Sequence, residues 1–254
     1  MKIRGQRECK DCGERWSYYE TGSVECPDCG SLRSVGVESE RRLHTDGPAE
    51  FDLTEAREAT ETETLREAAD RAGEIAREYV RKRGFVRGGD LLALDDTYLA
   101  ATELRHAADV VGRGLQLDDD EELYFLALLR DADAEVRGDD ADLRPSPDEV
   151  PESMHPIRGL AYADAVAEYR REMADWLADV ESDDSTDEPR TRGPAESALE
   201  TLREHVKRVQ ALDGDVDPGT AELLVEAARD VGRHLRDGDD DALASARERF
   251  DRFA

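Results

Sequence analysis

Apolar positions in this chain repeat at helical spacing over most of its length. Leu65, Ala68, Ala72, Ile75 and Tyr79 recur at intervals of 3, 4, 3 and 4, which sets them on one face of a helix. Gly84 is placed to stop that helix, because glycine accepts the left-handed conformation of the C′ position. Leu94, Tyr98, Ala101, Leu104, Ala108, Val111 and Leu115 mark a second helix. A third follows the acidic run Asp118–Glu122, whose carboxylates suit a helix N-terminus. Its segment "LYFLALL" (123–129) is apolar all round, which predicts a place at the centre of the helical core. Tyr162, Val166, Tyr169, Met173, Trp176 and Val180 then alternate at 4 and 3. Leu199, Leu202, Val206, Val209 and Leu212 share a further face. Asp217-Pro218 reads as a cap followed by proline at the first helical position, and a short helix begins near Asp240.

The first forty residues lack this period. "RWSYY" and "SLRSVGV" read as short strands around a Thr-Gly-Ser turn. "SERRLHTDGPAEFD" (39–52) and "SDDSTDEPRTRG" (182–193) read as linkers, and 137–159 as a long proline-containing connection. The pattern divides the chain into 1–42, a helical domain over 50–181, and a C-terminal helical segment over 194–254. "AADVVGRGLQLDDDEEL" (107–123) echoes "AARDVGRHLRDGDDDAL" (227–243), each reading helix, acidic turn, helix. The expected fold class is mainly α, with a small β module in front of an acidic multi-helix domain.

Charge sharpens that division. The 254 residues carry a net charge of −28, with 63 Asp and Glu against 35 Lys and Arg. Residues 1–42 hold eight basic and eight acidic side chains, so the whole excess lies beyond them. The acids are interleaved with phased apolar residues, which argues against a disordered acidic chain. Only four of the cations are lysines. That balance resembles proteins of halophiles with molar salt in the cytoplasm, where a screening length of about 3 Å erases most repulsion from nucleic acid. No apolar run approaches the roughly 20 residues of a membrane span, and "MKIRGQREC" has no signal-peptide h-region. The expectation is a soluble cytoplasmic protein.

The chemistry concentrates in residues 9–30, which hold all four cysteines: Cys9, Cys12, Cys26 and Cys29. Two C-x2-C pairs separated by thirteen residues can bend four thiolates onto one ion. Gly13 and Gly30 follow the second cysteine of each pair, where a tight turn aims backbone N–H groups at sulfur. Ordering each residue costs on the order of 1–2 kcal/mol of backbone entropy, and this stretch has few aliphatics to offset it. A structural zinc contributes about 10–16 kcal/mol. Two disulfides, a thioredoxin-like redox pair and a rubredoxin-like iron site are the alternatives to one Zn2+ per chain, which the spacing favours. A catalytic zinc would keep a ligand position open, and four cysteines close it.

The knuckles "CKDCG" and "CPDCG" make residues 1–38 resemble the zinc ribbon superfamily, including its transcription-factor-B type. The resemblance carries over the four cysteines as ligands. The whole chain is also similar to a family of haloarchaeal zinc-ribbon proteins whose function is not established.

Other residues offer surfaces. "RKRGFVRGG" (81–89) is the one basic cluster of the acidic part. Arg81, Lys82 and Arg83 complement a helix C-terminus, or with Arg87, Arg41 and Arg42 contact an anion or nucleic acid. In an alternating strand Trp16 and Tyr18 share one face and Tyr19 takes the other; a ribbon this small cannot bury all three, so packing competes with stacking on a base or partner. The five histidines form no catalytic signature, and "MHPIRG" (154–159) reads as a loop. "DGDVDPG" (213–219) starts like a calcium loop, but Pro218 and Leu224 replace the required glycine and glutamate. The function these features favour is a non-catalytic adaptor or regulator whose ribbon binds protein or nucleic acid. The alternatives are an enzyme with a cleft near His106, His155 or Arg158, and a scaffold oligomerising through the Tyr162–Val180 seam.

Overall fold

A computed structural model describes residues 1–114, 117–134, 138, 142–183 and 192–253. The described strands are β1 (Lys2–Ile3), β2 (Gln6–Cys9), β3 (Arg15–Ser17), β4 (Ser34–Gly36), β5 (Arg42–Leu43), β6 (Val86–Arg87) and β7 (Asp90–Leu91). The described helices are α1 (Tyr18–Thr21), α2 (Thr54–Thr62), α3 (Leu65–Lys82), α4 (Asp96–Arg113) and α5 (Asp119–Asp131), followed by α6 (His155–Asp183), α7 (Arg192–Ala211), α8 (Pro218–Asp237) and α9 (Asp240–Arg252). The protein is mainly helical with an N-terminal β region.

Local chemistry sets the helix starts. Thr64 accepts from the Glu67 N–H while Glu67 accepts from Thr64, a reciprocal capping box that opens α3. Asp118 and Glu121 repeat the arrangement for α5. Asp95 caps α4, and Asp217 caps α8 with Pro218 behind it. The two echoing stretches are both helix, acidic turn, helix, capped by Asp118 and Asp239.

The apolar faces read from the sequence meet in one core. Small residues let α3 and α4 approach closely: a Cβ on Gly73 would stand 3.2 Å from the Ala108 Cβ. Tyr162, Val166, Tyr169 and Met173 of α6 are fully buried. Leu199, Leu202, Val206 and Val209 of α7 join the same cluster, which runs from Phe51 to Phe253. The α6 seam is therefore spent inside the chain, and Val180 is exposed as the helix outruns the core. Gly232 of α8 lies against the Tyr169 ring, whose hydroxyl donates to the Leu92 carbonyl at 3.0 Å.

Four expectations are corrected. Helix α5 is peripheral: Tyr124, Phe125, Leu128 and Leu129 are buried, but Leu123 is 63% exposed. Gly84 is absent from the positive-φ glycines; a Cβ there would stand 2.5 Å from the Thr45 carbonyl carbon, so the glycine admits a neighbouring chain. Residues 39–52 pack instead of linking. Strand β5 pairs with β1, the Thr45 N–H reaches the Val86 carbonyl at 2.9 Å, and His44, Asp46 and Phe51 are buried. His155–Gly159 forms the first turn of α6, preceded by a 3-10 turn over Glu152–Met154 that buries Met154. The core of the 182–193 segment, residues 184–191, and Leu115 lie outside the described residues.

Candidate metal centre

Strand β2 is the middle of a three-stranded antiparallel sheet, with β3 and β4 on its two sides. Its register sets Arg7 opposite Trp16 and Glu8 opposite Val35. Cys9 ends β2 and opens the first knuckle; Cys26 opens the second. The two turns repeat each other's hydrogen bonds. The Gly13 N–H donates to the Cys9 carbonyl at 3.2 Å, and the Gly30 N–H to the Cys26 carbonyl at 2.9 Å. The Cys9 N–H reaches the Glu14 carbonyl at 2.8 Å, and the Cys26 N–H reaches that of Ser31 at 3.0 Å. Both glycines are left-handed, at φ +84 and +70, with open space around Gly13. Backbone conformation, not crowding, requires glycine there.

These turns bring all four sulfurs within 4.8 Å of one another. Cys9 Sγ lies 3.6 Å from Cys29 Sγ, and Cys12 Sγ lies 3.5 Å from Cys26 Sγ. Sulfurs about 2.3 Å from a common ion at tetrahedral angles stand roughly 3.8 Å apart, so the spacing suits a metal cage. It is far beyond the roughly 2.05 Å of a disulfide bond. Cys9 and Cys26 are buried, while Cys12 and Cys29 face outward. Trp16 lies with Cys9 and Cys26 in the one small apolar cluster of the module, its indole N–H held by the Ser23 carbonyl at 3.0 Å. Arg33 and Ser31 both bond Asp11, tying one knuckle to the other.

The thiols resist sharing one protonation state. Backbone N–H groups of Cys12 and Asp11 bring Cys9 down to about 6. At Cys12 the Glu14 N–H acts to lower the value, but desolvation and the neighbouring sulfurs outweigh it and push the thiol up to about 12. A cation held among them would stabilise all four as thiolates. Four soft donors with no position left over suit a structural ion rather than a catalytic one.

The other candidate residues are dispersed or neutralised. Trp16 is buried over the cage. The strand ends at Ser17, so Tyr18 and Tyr19 open helix α1 and the alternation does not reach them. Tyr19 is half-buried; its ring lies against Gly5 of the N-terminal β region and Gly88 of the β6–β7 turn, 4.9 Å from the His44 ring. It is a bridge to the helical part, alongside the 2.6 Å Lys2–Asp179 ion pair. Arg83 and Arg87 both bind Asp46, which is 2% exposed, and Arg83 also reaches Asp95 at 3.1 Å. Lys82 pairs with Glu78 one turn back at 2.6 Å. Arg41, Arg42 and Arg81 are exposed. Sequence reasoning missed Asp46 because it sat in a stretch read as linker. His106 bonds Asp164 at 3.1 Å, His155 faces the Val150 carbonyl, and Arg158 is sealed in the core, so the three hold different partners.

No described helix is long and apolar enough to cross a membrane. Neither a curated protein nor a solved structure matches the chain. Residues 1–250 match the family described as "Family of unknown function (DUF7117)", and the chain belongs to it.

Proposed function

Taking membership of that family as the premise, we propose that the protein is a non-catalytic cytoplasmic adaptor. One zinc ion clips its N-terminal ribbon, and the β4 edge of that ribbon binds a protein partner. One observation carries this reading. Val24, Leu32, Val35 and Val37 are all exposed, Leu32 at 71%, on or beside a strand that, among the described residues, pairs only with β2. They lie in the charge-balanced first 42 residues of a chain whose net charge is −28. An unpaired edge with outward aliphatics accepts an extended segment by strand addition, with backbone bonds for affinity and side chains for specificity.

The zinc ribbon assignment is supported by the paired knuckles and the soft donor set, and the salt-rich cytoplasm by the arginine-over-lysine acidic composition. The buried α6 seam leaves the scaffold reading without its surface. The test uses affinity capture from a lysate at high salt, comparing the zinc-loaded chain with Val35→Lys and Arg252→Glu variants. A protein retained by wild type and Arg252→Glu but lost with Val35→Lys supports the reading. Equal retention by all three contradicts it, and recovery that disappears on nuclease treatment transfers the function to nucleic acid.

A further inference from the structure

Outside the ribbon, the cleft between α3, α4, α6 and α7 runs against the charge of the molecule. Its volume is about 940 Å³. Arg81 and Arg83 enter it from the end of α3, and Arg105 from α4. Arg170 and Arg171 come from α6, Arg203 and Lys207 from α7. The carboxylates facing them are Asp164, Glu168 and Glu172. Seven cations thus meet three anions in a chain with nearly twice as many acids as bases.

The cations fall into two sets. Arg83 is held by Asp46 and Asp95, Arg105 by Asp164 at 3.2 Å, Arg171 by Glu168, and Arg203 by Glu200. Arg81, Arg170 and Lys207 form no ion pair among the described residues. They arise from three different helices, so only the tertiary fold gathers them. Leaving three cations unpaired together costs free energy through mutual repulsion, and an acidic sequence has carboxylates to spare for quenching them. Val80, Ala167 and Val206 give the cleft an apolar wall, and Thr102 and the Tyr98 ring form part of its lining.

We propose that this cleft binds a small polyphosphate, its phosphate oxygens bridging Arg170, Lys207 and Arg81. Guanidinium groups present paired N–H donors matched to phosphate oxygens, and lysine adds a point charge. The volume lies within the range of small-molecule sites. A long nucleic acid is disfavoured by the same charge balance, since it would run from the cleft onto acidic surface, whereas a compact anion stays among the cations. The apolar wall leaves room for a nucleoside body on that polyphosphate.

The test is calorimetric titration of the full zinc-loaded chain with inorganic pyrophosphate and, separately, with ADP, at about 0.2 M and about 2 M KCl. Saturable binding of one anion per chain is expected. An Arg170→Glu/Lys207→Glu variant should weaken it at least tenfold, while Arg252→Glu on α9 leaves it unchanged. Neither replaced cation is buried or paired, and circular dichroism checks that the fold persists. Binding of either probe with that dependence supports the assignment, and the tighter probe shows whether the nucleoside body contributes. Absence of saturable binding, equal weakening by Arg252→Glu, or binding of an RNA oligonucleotide alone would overturn it.

Discussion

Tyr19 shows how much of this structure turns on single side chains placed against glycine. Its ring fills the space beside Gly5 and Gly88, and Gly88 itself has φ +62. Gly88→Ala would add a methyl group 2.8 Å from that ring and strain a left-handed turn. A loss of about 1–3 kcal/mol is expected on denaturant unfolding, with Gly138→Ala, which has open space at φ +77, losing less. Glu172 is a second such residue. It accepts from the Thr45 hydroxyl at 2.5 Å and the Phe85 N–H at 2.6 Å, yet burial raises its pKa above the usual carboxylate value. A raised folded-state pKa contributes stability below the unfolded value that is lost as pH rises through the folded one. Glu172→Gln should therefore match wild type at about pH 4 and exceed it at about pH 8, as read by denaturant midpoints; a constant difference would count against a buried ionised carboxylate. The four cysteines were legible because their spacing alone brings sulfurs together. Asp46 was not, because its partners Arg83 and Arg87 lie about forty residues away and only the fold unites them.

At the scale of elements, α4 and α6 are joined through a buried polar cluster that periodicity does not announce. Glu103 accepts from Arg158 Nε at 2.6 Å, from the Tyr162 hydroxyl at 3.1 Å and from the Tyr124 hydroxyl. Glu103 and Arg158 are both 0% exposed, and Arg158 Nη2 is held by the Pro145 carbonyl at 2.7 Å. Its Nη1 has no hydrogen-bond partner among the described residues and stands 3.9 Å from a Glu222 carboxylate oxygen, so the pair is incompletely satisfied. Arg158→Met would leave the Glu103 carboxylate uncompensated and should cost about 3–5 kcal/mol, much of it regained by adding Glu103→Leu. Additive losses in the double variant would refute the coupling. Helix positions were legible where apolar residues hold one phase, as from Leu65 to Tyr79. The peripheral place of α5 was not, because "LYFLALL" gives every face an apolar residue and only its neighbours decide which is covered. The role of Gly84 is not legible for a related reason: glycine fits both a left-handed cap and a close chain passage.

For the whole molecule, a net charge of −28 on 254 residues makes stability sensitive to salt. At about 0.1 M salt the screening length is about 10 Å and neighbouring acids repel; at about 1 M it is about 3 Å. Thermal midpoints should rise steeply between these concentrations of KCl, and a flat profile would contradict a salt-adapted surface. The same charge gives the cationic cleft and the charge-balanced N-terminal β region their contrast with the rest of the surface. Under the proposed zinc reading the N-terminal β region depends on one metal and the helical part does not, because the apolar cluster of that region consists of Cys9, Trp16 and Cys26. Elemental analysis of the full chain purified under reducing conditions tests this most directly, alongside Cys26→Ser. One zinc per wild-type chain, lost in the variant together with ribbon structure while the helical signal remains, is the predicted result; wild-type protein that keeps its ribbon with no bound metal would contradict it.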